Sequence, residues 1–119
     1  MSHIFVSHVE EDSSLAGELA AGLEAAGYAT WHYQRDTVPG AAYLIQVGKA
    51  IDECSAMMLI ASPKSLDSNQ VTNEVVRAFE SGKHFIPVLS GITDAELKER
   101  QPLWRQALGA STSIPIPRR

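Results

Sequence analysis

SAMMLIASPKSLDSNQVTNEVVRAFESGKHFIPVLS, residues 55–90, decides the fold. It opens on the longest apolar run of the chain, residues 56–61. That run is far too short to span a membrane and has the length of a buried strand. A polar stretch follows. Val71, Val75 and Phe79 then recur every four residues and predict a helix over about residues 68–81, facing a core and ending before Gly82. HFIPVLS, 84–90, is a second strand. Strand, helix and strand in this order make one unit of a parallel sheet, with residues 55–62 as its central strand.

The same alternation extends on both sides. HIFVS, 3–7, reads as a short buried strand. Leu15, Leu19 and Leu23 line one face of the helix after it, with Asp12 as the expected N-cap and Gly27 as the stop. YATWHY, 28–33, reads as a strand and QRDTVPG, 34–40, as a loop, because Pro-Gly breaks both periodicities. Leu44, Val47 and Ile51 set the next helix, over 41–53. Beyond residue 90, TDAELKERQPLWRQALG predicts one or two short helices split near Pro102, and TSIPI, 112–116, an edge strand that tolerates proline. Five strands with interposed helices specify an α/β domain, a flavodoxin-like three-layer sandwich. Its five-stranded parallel sheet takes the order 2-1-3-4-5 with helices on both faces. One domain over residues 1–119 is expected, with IPIPRR as the start of a linker in a longer multidomain protein.

Composition narrows the function classes. The net charge is −4 and no basic cluster exceeds Arg118-Arg119, so no nucleic-acid partner is expected. Neither a membrane span nor a signal peptide is legible, and Cys54 stands alone, which excludes a disulfide framework and a cysteine zinc site. A reducing, cytoplasmic setting is the expectation. His3, His8, His32 and His84 lack metal-ligand spacing, so no metal site is expected.

In such a sheet, ligands bind beyond the carboxyl ends of the strands, where the strand order reverses. The loops after the first three strands, 8–12, 34–40 and 63–70, should share that end. Glu74, beside the apolar stripe and in the second turn of its helix, can point back toward the crevice. Two readings stand on spacing alone: a solvated carboxylate favoured by the helix dipole, and a catalytic acid at a pocket mouth. Likewise Glu10, Glu11 and Asp12 read as solvent-facing plus one cap, Trp31 as core, and Arg35 with Asp36 as a loop ion pair. Several chemistries are excluded. No Gly-x-Gly-x-x-Gly follows the first strand, and neither a Walker A loop nor a Gly-x-Ser-x-Gly elbow is present. A phosphate-accepting receiver would need Asp where Ala61 and Ser62 end the third strand.

The boxes, taken together, resemble the TIR (Toll/interleukin-1 receptor) domains, of the bacterial type. HIFVSHVEED resembles the family's first box, and GYATWHYQRDTVPGAAYLIQVGKAI its second strand, BB loop and following helix. MMLIASPKSLDSNQVTNEVVRAF resembles the third strand, its Ser-rich exit and the helix bearing the family's Glu, and KHFIPVL the next strand. Each box alone is weak; four in order over about residues 3–116 are specific. The resemblance implies that Glu74 is the catalytic residue of an NAD+ glycohydrolase or cyclase, with NAD+ as substrate and no cofactor. It implies substrate-binding positions at Ser7, His8, Arg35, Asp36, Tyr43, Ser62, Ser65, Leu66 and Gln70. It also implies self-association through the BB loop, Thr37, Val38, Pro39 and Gly40, and activity that awaits clustering, as in anti-phage immunity or signalling. Val71 fits the family pattern three residues before the Glu. Gln70 departs from it, because many active members carry Trp there as a stacking surface. Tyr33, Tyr43 or Trp31 could replace that platform, or the site could prefer another nucleotide. Two alternatives remain open: a non-catalytic module acting by homotypic TIR assembly, and a base-exchanging enzyme of the nucleoside deoxyribosyltransferase kind, which also uses a Glu.

Overall fold

The computed structural model describes residues 2–116; the last three residues of the expected linker lie outside this range. Five strands form one parallel sheet in the order β2-β1-β3-β4-β5, as the alternation predicts. They are β1 (His3–Ser7), β2 (Thr30–Trp31), β3 (Cys54–Ala61), β4 (His84–Leu89) and β5 (Ile114–Pro115). The helices are α1 (Ser13–Ala25), the single turn α2 (Tyr33–Asp36), α3 (Tyr43–Glu53), α4 (Asn69–Glu80), α5 (Asp94–Arg100) and α6 (Pro102–Leu108). Phe5 pairs with Met57 and Ser7 with Leu59, so β1 and β3 end side by side.

Both faces of β1 and β3 are covered, which is why these strands read as continuous apolar runs. Phe5, Met57 and Leu59 pack beneath Val47 and Ile51 of α3 and Val71 and Val75 of α4. Leu97, Trp104 and Leu108 extend that core through α5 and α6. On the opposite face Ile4, Val6, Met58 and Ile60 meet Ala16 and the partly buried Leu15, Leu19 and Leu23 of α1.

Five sequence expectations need correction. The second strand spans only Thr30–Trp31, not 28–33. After it the chain coils into α2, because the Asp36 carboxylate accepts the His32 N–H at 3.0 Å and Arg35 donates to the Thr30 carbonyl at 2.7 Å. The 34–40 loop is therefore helical over its first three residues. Asp12 makes no side-chain cap; its carboxylate accepts the Ser62 hydroxyl at 2.5 Å instead. Phe79 is about half exposed and Ala78 is buried in its place. A step of four residues turns about 40° beyond a full helical turn, so a four-residue spacing walks off the core after two steps. Leu44, expected on the core stripe of α3, is exposed at the rim of the groove between α3 and α4. Gly27 does stop α1, with a left-handed φ of +97°.

The start of α4 is set by Ser68, whose Oγ accepts the Val71 N–H at 3.1 Å. Ser68→Ala should cost about 1 kcal/mol. Urea denaturation checks this, and an unchanged midpoint would mean the cap is made by water.

Candidate active site

The end of β1 and the second turn of α4 meet over the sheet. Ser7 closes β1 and is buried; Glu74 is only 4% exposed. The Ser7 hydroxyl donates to Glu74 Oε1 at 2.6 Å. One turn earlier on α4, the Gln70 amide donates to Glu74 Oε2 at 3.4 Å and to the Tyr43 hydroxyl. No cation pairs with this carboxylate among the described residues. Burial therefore raises its pKa to about 7, against the lowering effect of the hydrogen bonds from Ser7 and Gln70.

Glu74 forms one wall of an open cavity of about 510 Å³ between α3 and α4. Tyr43, Gln70 and Asn73 stand beside it, Leu44, Val47 and Ile51 supply apolar surface, and Gly48 and Arg77 complete the lining. An aromatic corner adjoins the mouth. Tyr33 stacks on His8 with ring centroids 5.2 Å apart and meets Tyr43 edge-on at 6.0 Å. Burial, then the charge on Glu74, pushes the Tyr43 phenol up to about 12, so it stays neutral and can both donate and accept. His8 is buried, with Nδ1 3.3 Å from the Val6 carbonyl oxygen and Nε2 3.4 Å from Gln34 Oε1.

The structure brings Ser7, Tyr43, Gln70 and Glu74 together and sets His8 behind them, against Tyr33. Ser62, Ser65 and Leu66 lie at the same end of the sheet but turn inward. The Ser65 hydroxyl accepts the Ser62 N–H at 2.7 Å and donates to its carbonyl at 3.1 Å, Ser62 is tied to Asp12, and Leu66 is core. These residues shape the loop between β3 and α4. Arg35 and Asp36 are not brought to Glu74. Arg35 donates to Glu24 at 2.6 Å and to Asp36 at 2.8 Å, in a cluster with Thr30 on the side of α1. The loop ion pair read from the sequence is thus present, enlarged by Glu24.

Thr37, Val38, Pro39 and Gly40 form the following loop. The Thr37 hydroxyl donates to the Tyr33 carbonyl at 2.5 Å, and Gln46 clasps the Val38 backbone N–H at 2.6 Å and its carbonyl at 3.0 Å. Gly40 has φ +86°, which a residue with a Cβ rarely adopts. Val38 stays 62% exposed at the outer surface.

Gly48, Asn73 and Arg77 were not singled out from the sequence. Arg77 lies three after Glu74, and Asn73 four before Arg77, so helical spacing links Glu74 to Arg77 and Arg77 to Asn73 along the same side of α4. A glycine inside the predicted 41–53 helix was the other signal. Among the described residues no three His, Cys, Asp or Glu side chains come together to hold a metal, and no helix is long and apolar enough to cross a membrane.

Similar folds occur in solved structures. A metazoan TIR-STING receptor from C. gigas in complex with 2′,3′-cGAMP superposes with a TM-score of 0.75 at 24% identity, covering 97% of this chain and 35% of that one. This chain thus spans about a third of that receptor. The TIR domains of the activated Roq1 resistosome, which recognises the pathogen effector XopQ, give 0.73 at 18% identity, covering 95% and 87%. The Clostridium botulinum CMP N-glycosidase BcmB gives 0.68 at 16% identity, covering 98% and 91%. At these identities the likeness is one of fold. No curated protein sequence matches. The TIR domain sequence profile matches residues 4–112, from the first strand to the approach to the last. With the sheet order and four boxes already in place, that match makes this chain a member of the TIR domain family.

Proposed function

We propose that this domain breaks the N-glycosidic bond between nicotinamide and ribose in NAD+, with Glu74 as the catalytic residue. The observation that carries the reading is a buried carboxyl, held by the Ser7 hydroxyl, on the wall of an open cavity large enough for part of a nucleotide. The bond breaks through an oxocarbenium-like transition state. The nicotinamide ring is cationic in NAD+ and leaves the ribose as a neutral molecule, taking the electron pair of the broken bond, so no general acid is required. The carboxylate stabilises the positive charge growing on the ribose, and in a dry site that interaction is strong. Water reaching the ribose yields ADP-ribose and releases a proton; an adenine nitrogen reaching it first yields a cyclised isomer.

The acting form is the carboxylate, and Glu74 ionises only near pH 7. The value of kcat/KM should therefore rise about tenfold per pH unit below 7 and level off above it. Chromatography of released nicotinamide across pH 5–9 checks this. A profile flat across that range would show that the ionisation of Glu74 does not limit the reaction.

Homotypic assembly belongs to the same proposal, as in a bacterial immune effector that is idle until clustered. The exposed 37–40 loop supplies a surface for it. The decisive test incubates the domain with NAD+, both dilute and crowded on beads. No nicotinamide from the clustered domain at pH 8 would leave the assembly module as the reading. CMP belongs in the same test, because Gln70 replaces an aromatic surface and the fold is shared with a CMP N-glycosidase. Cytosine release without nicotinamide release would move the substrate to a pyrimidine nucleotide.

A further inference from the structure

We propose that the groove between α3 and α4 takes the 5′-phosphate of the nucleotide whose ribose lies at Glu74, and that Arg77, seated on Gly48, reads it. The proposal rests on the reading of Glu74 as the ribose-facing group. Glu74 and Arg77 are three residues apart on α4 and line one cavity. Their Cβ atoms are about 5–6 Å apart, within the span of a ribose 5-phosphate.

The guanidinium is held ready. Asp52, at the end of α3, accepts from Nε at 3.0 Å and from Nη2 at 2.7 Å. Nη1 donates no hydrogen bond among the described residues. The group lies flat across the backbone of α3. A Cβ at position 48 would stand 3.0 Å from Arg77 Cζ and 3.2 Å from both Nη1 and Nη2, so a residue larger than glycine would displace the fork.

Stability does not account for this arrangement. Glycine inside a helix is less favourable than alanine. An ion pair as exposed as this one, with side chains 51% and 47% accessible, returns little. A guanidinium fork oriented by a carboxylate and facing a groove beside a sugar-binding carboxyl is suited to a phosphate. Asp52 and the nearby Glu80 temper its charge, while Lys83, which donates to the Asp52 carbonyl at 2.8 Å, adds to it. A modest preference is therefore expected.

The test is calorimetric titration of the whole chain with nicotinamide mononucleotide and with nicotinamide riboside, the pair that carries the ribose placed at Glu74. The unaltered protein should bind the mononucleotide about tenfold more tightly than the riboside. Arg77→Gln should bring the ratio to about one, with riboside affinity unchanged. Gly48→Ala should lose the preference too, while its Tm rises from the added helix propensity, so misfolding cannot explain the loss. A preference surviving in either variant overturns the proposal, as does an unaltered protein that binds both ligands equally or neither. A phosphate preference without cleavage of NAD+ by the clustered domain would sink the proposed reaction alone. Cleavage without the preference would sink the phosphate site alone.

Discussion

Glu74→Gln is expected to lower nicotinamide release about 10²–10³-fold while making the folded protein more stable at pH 8. Both effects come from one buried carboxyl. Its pKa stands at about 7 in the folded chain, against an ordinary value of 4.5, because burial disfavours the charge. The folded state therefore holds a proton that the unfolded state releases between these two values. The stability tied to this group is fully present below pH 4.5, falls as the pH rises toward 7 and is flat beyond. The total fall is roughly 3 kcal/mol. An amide carries no charge and escapes that loss.

Its oxygen can still accept the Ser7 hydroxyl, and a flipped Gln70 amide can accept its N–H. The variant should match the unaltered chain near pH 4.5 and exceed it by roughly 1–3 kcal/mol at pH 8. Urea denaturation at the two pH values, alongside the nicotinamide assay, reads both halves. A stability difference that does not change with pH would mean the carboxyl is hydrated. Undiminished turnover would remove Glu74 from the chemistry. A variant that is both inactive and more stable at pH 8 is the signature of a site that spends stability on reactivity.

The second large effect lies away from the cavity, on the outer side of α4. Trp104 of α6 is fully buried, and its indole N–H donates to Thr72 Oγ1 on α4 at 3.0 Å. Trp104→Ala should cost about 3–5 kcal/mol. The loss combines apolar burial, a residual cavity and a hydroxyl stripped of its donor. That is a large share of the about 5–15 kcal/mol available to a domain of this size. Trp104→Phe, which keeps most of the volume and loses the hydrogen bond, should cost about 1–3 kcal/mol. Denaturant midpoints separate the two. An alanine variant within about 1 kcal/mol of the unaltered chain would mean that α6 does not dock on α4 in solution. Because α4 carries Gln70, Glu74 and Arg77, the same contact helps hold the site's main wall in place.

The sequence by itself determined the sheet. Residues 55–62 and 84–90 are strand-length apolar runs, α1 and α3 carry helical stripes, and their alternation leaves few topologies once crossovers are right-handed. It also put Glu74 in the second turn of a helix at the carboxyl end of the sheet's strands. These features are local, set by the repeat of each element along the chain. Tertiary structure decided the rest. Asp12 would have been a good cap, but Ser62, fifty positions away, lies within hydrogen-bonding distance of its carboxylate. Arg35 could have faced the crevice, but Glu24 and Thr30 hold it on the other side. Gly48 meets Arg77 only because α3 and α4 lie side by side on one face of the sheet. Periodicity records which face of an element is apolar. Which polar side chains become partners depends on distances between elements, and those exist only once the core has closed.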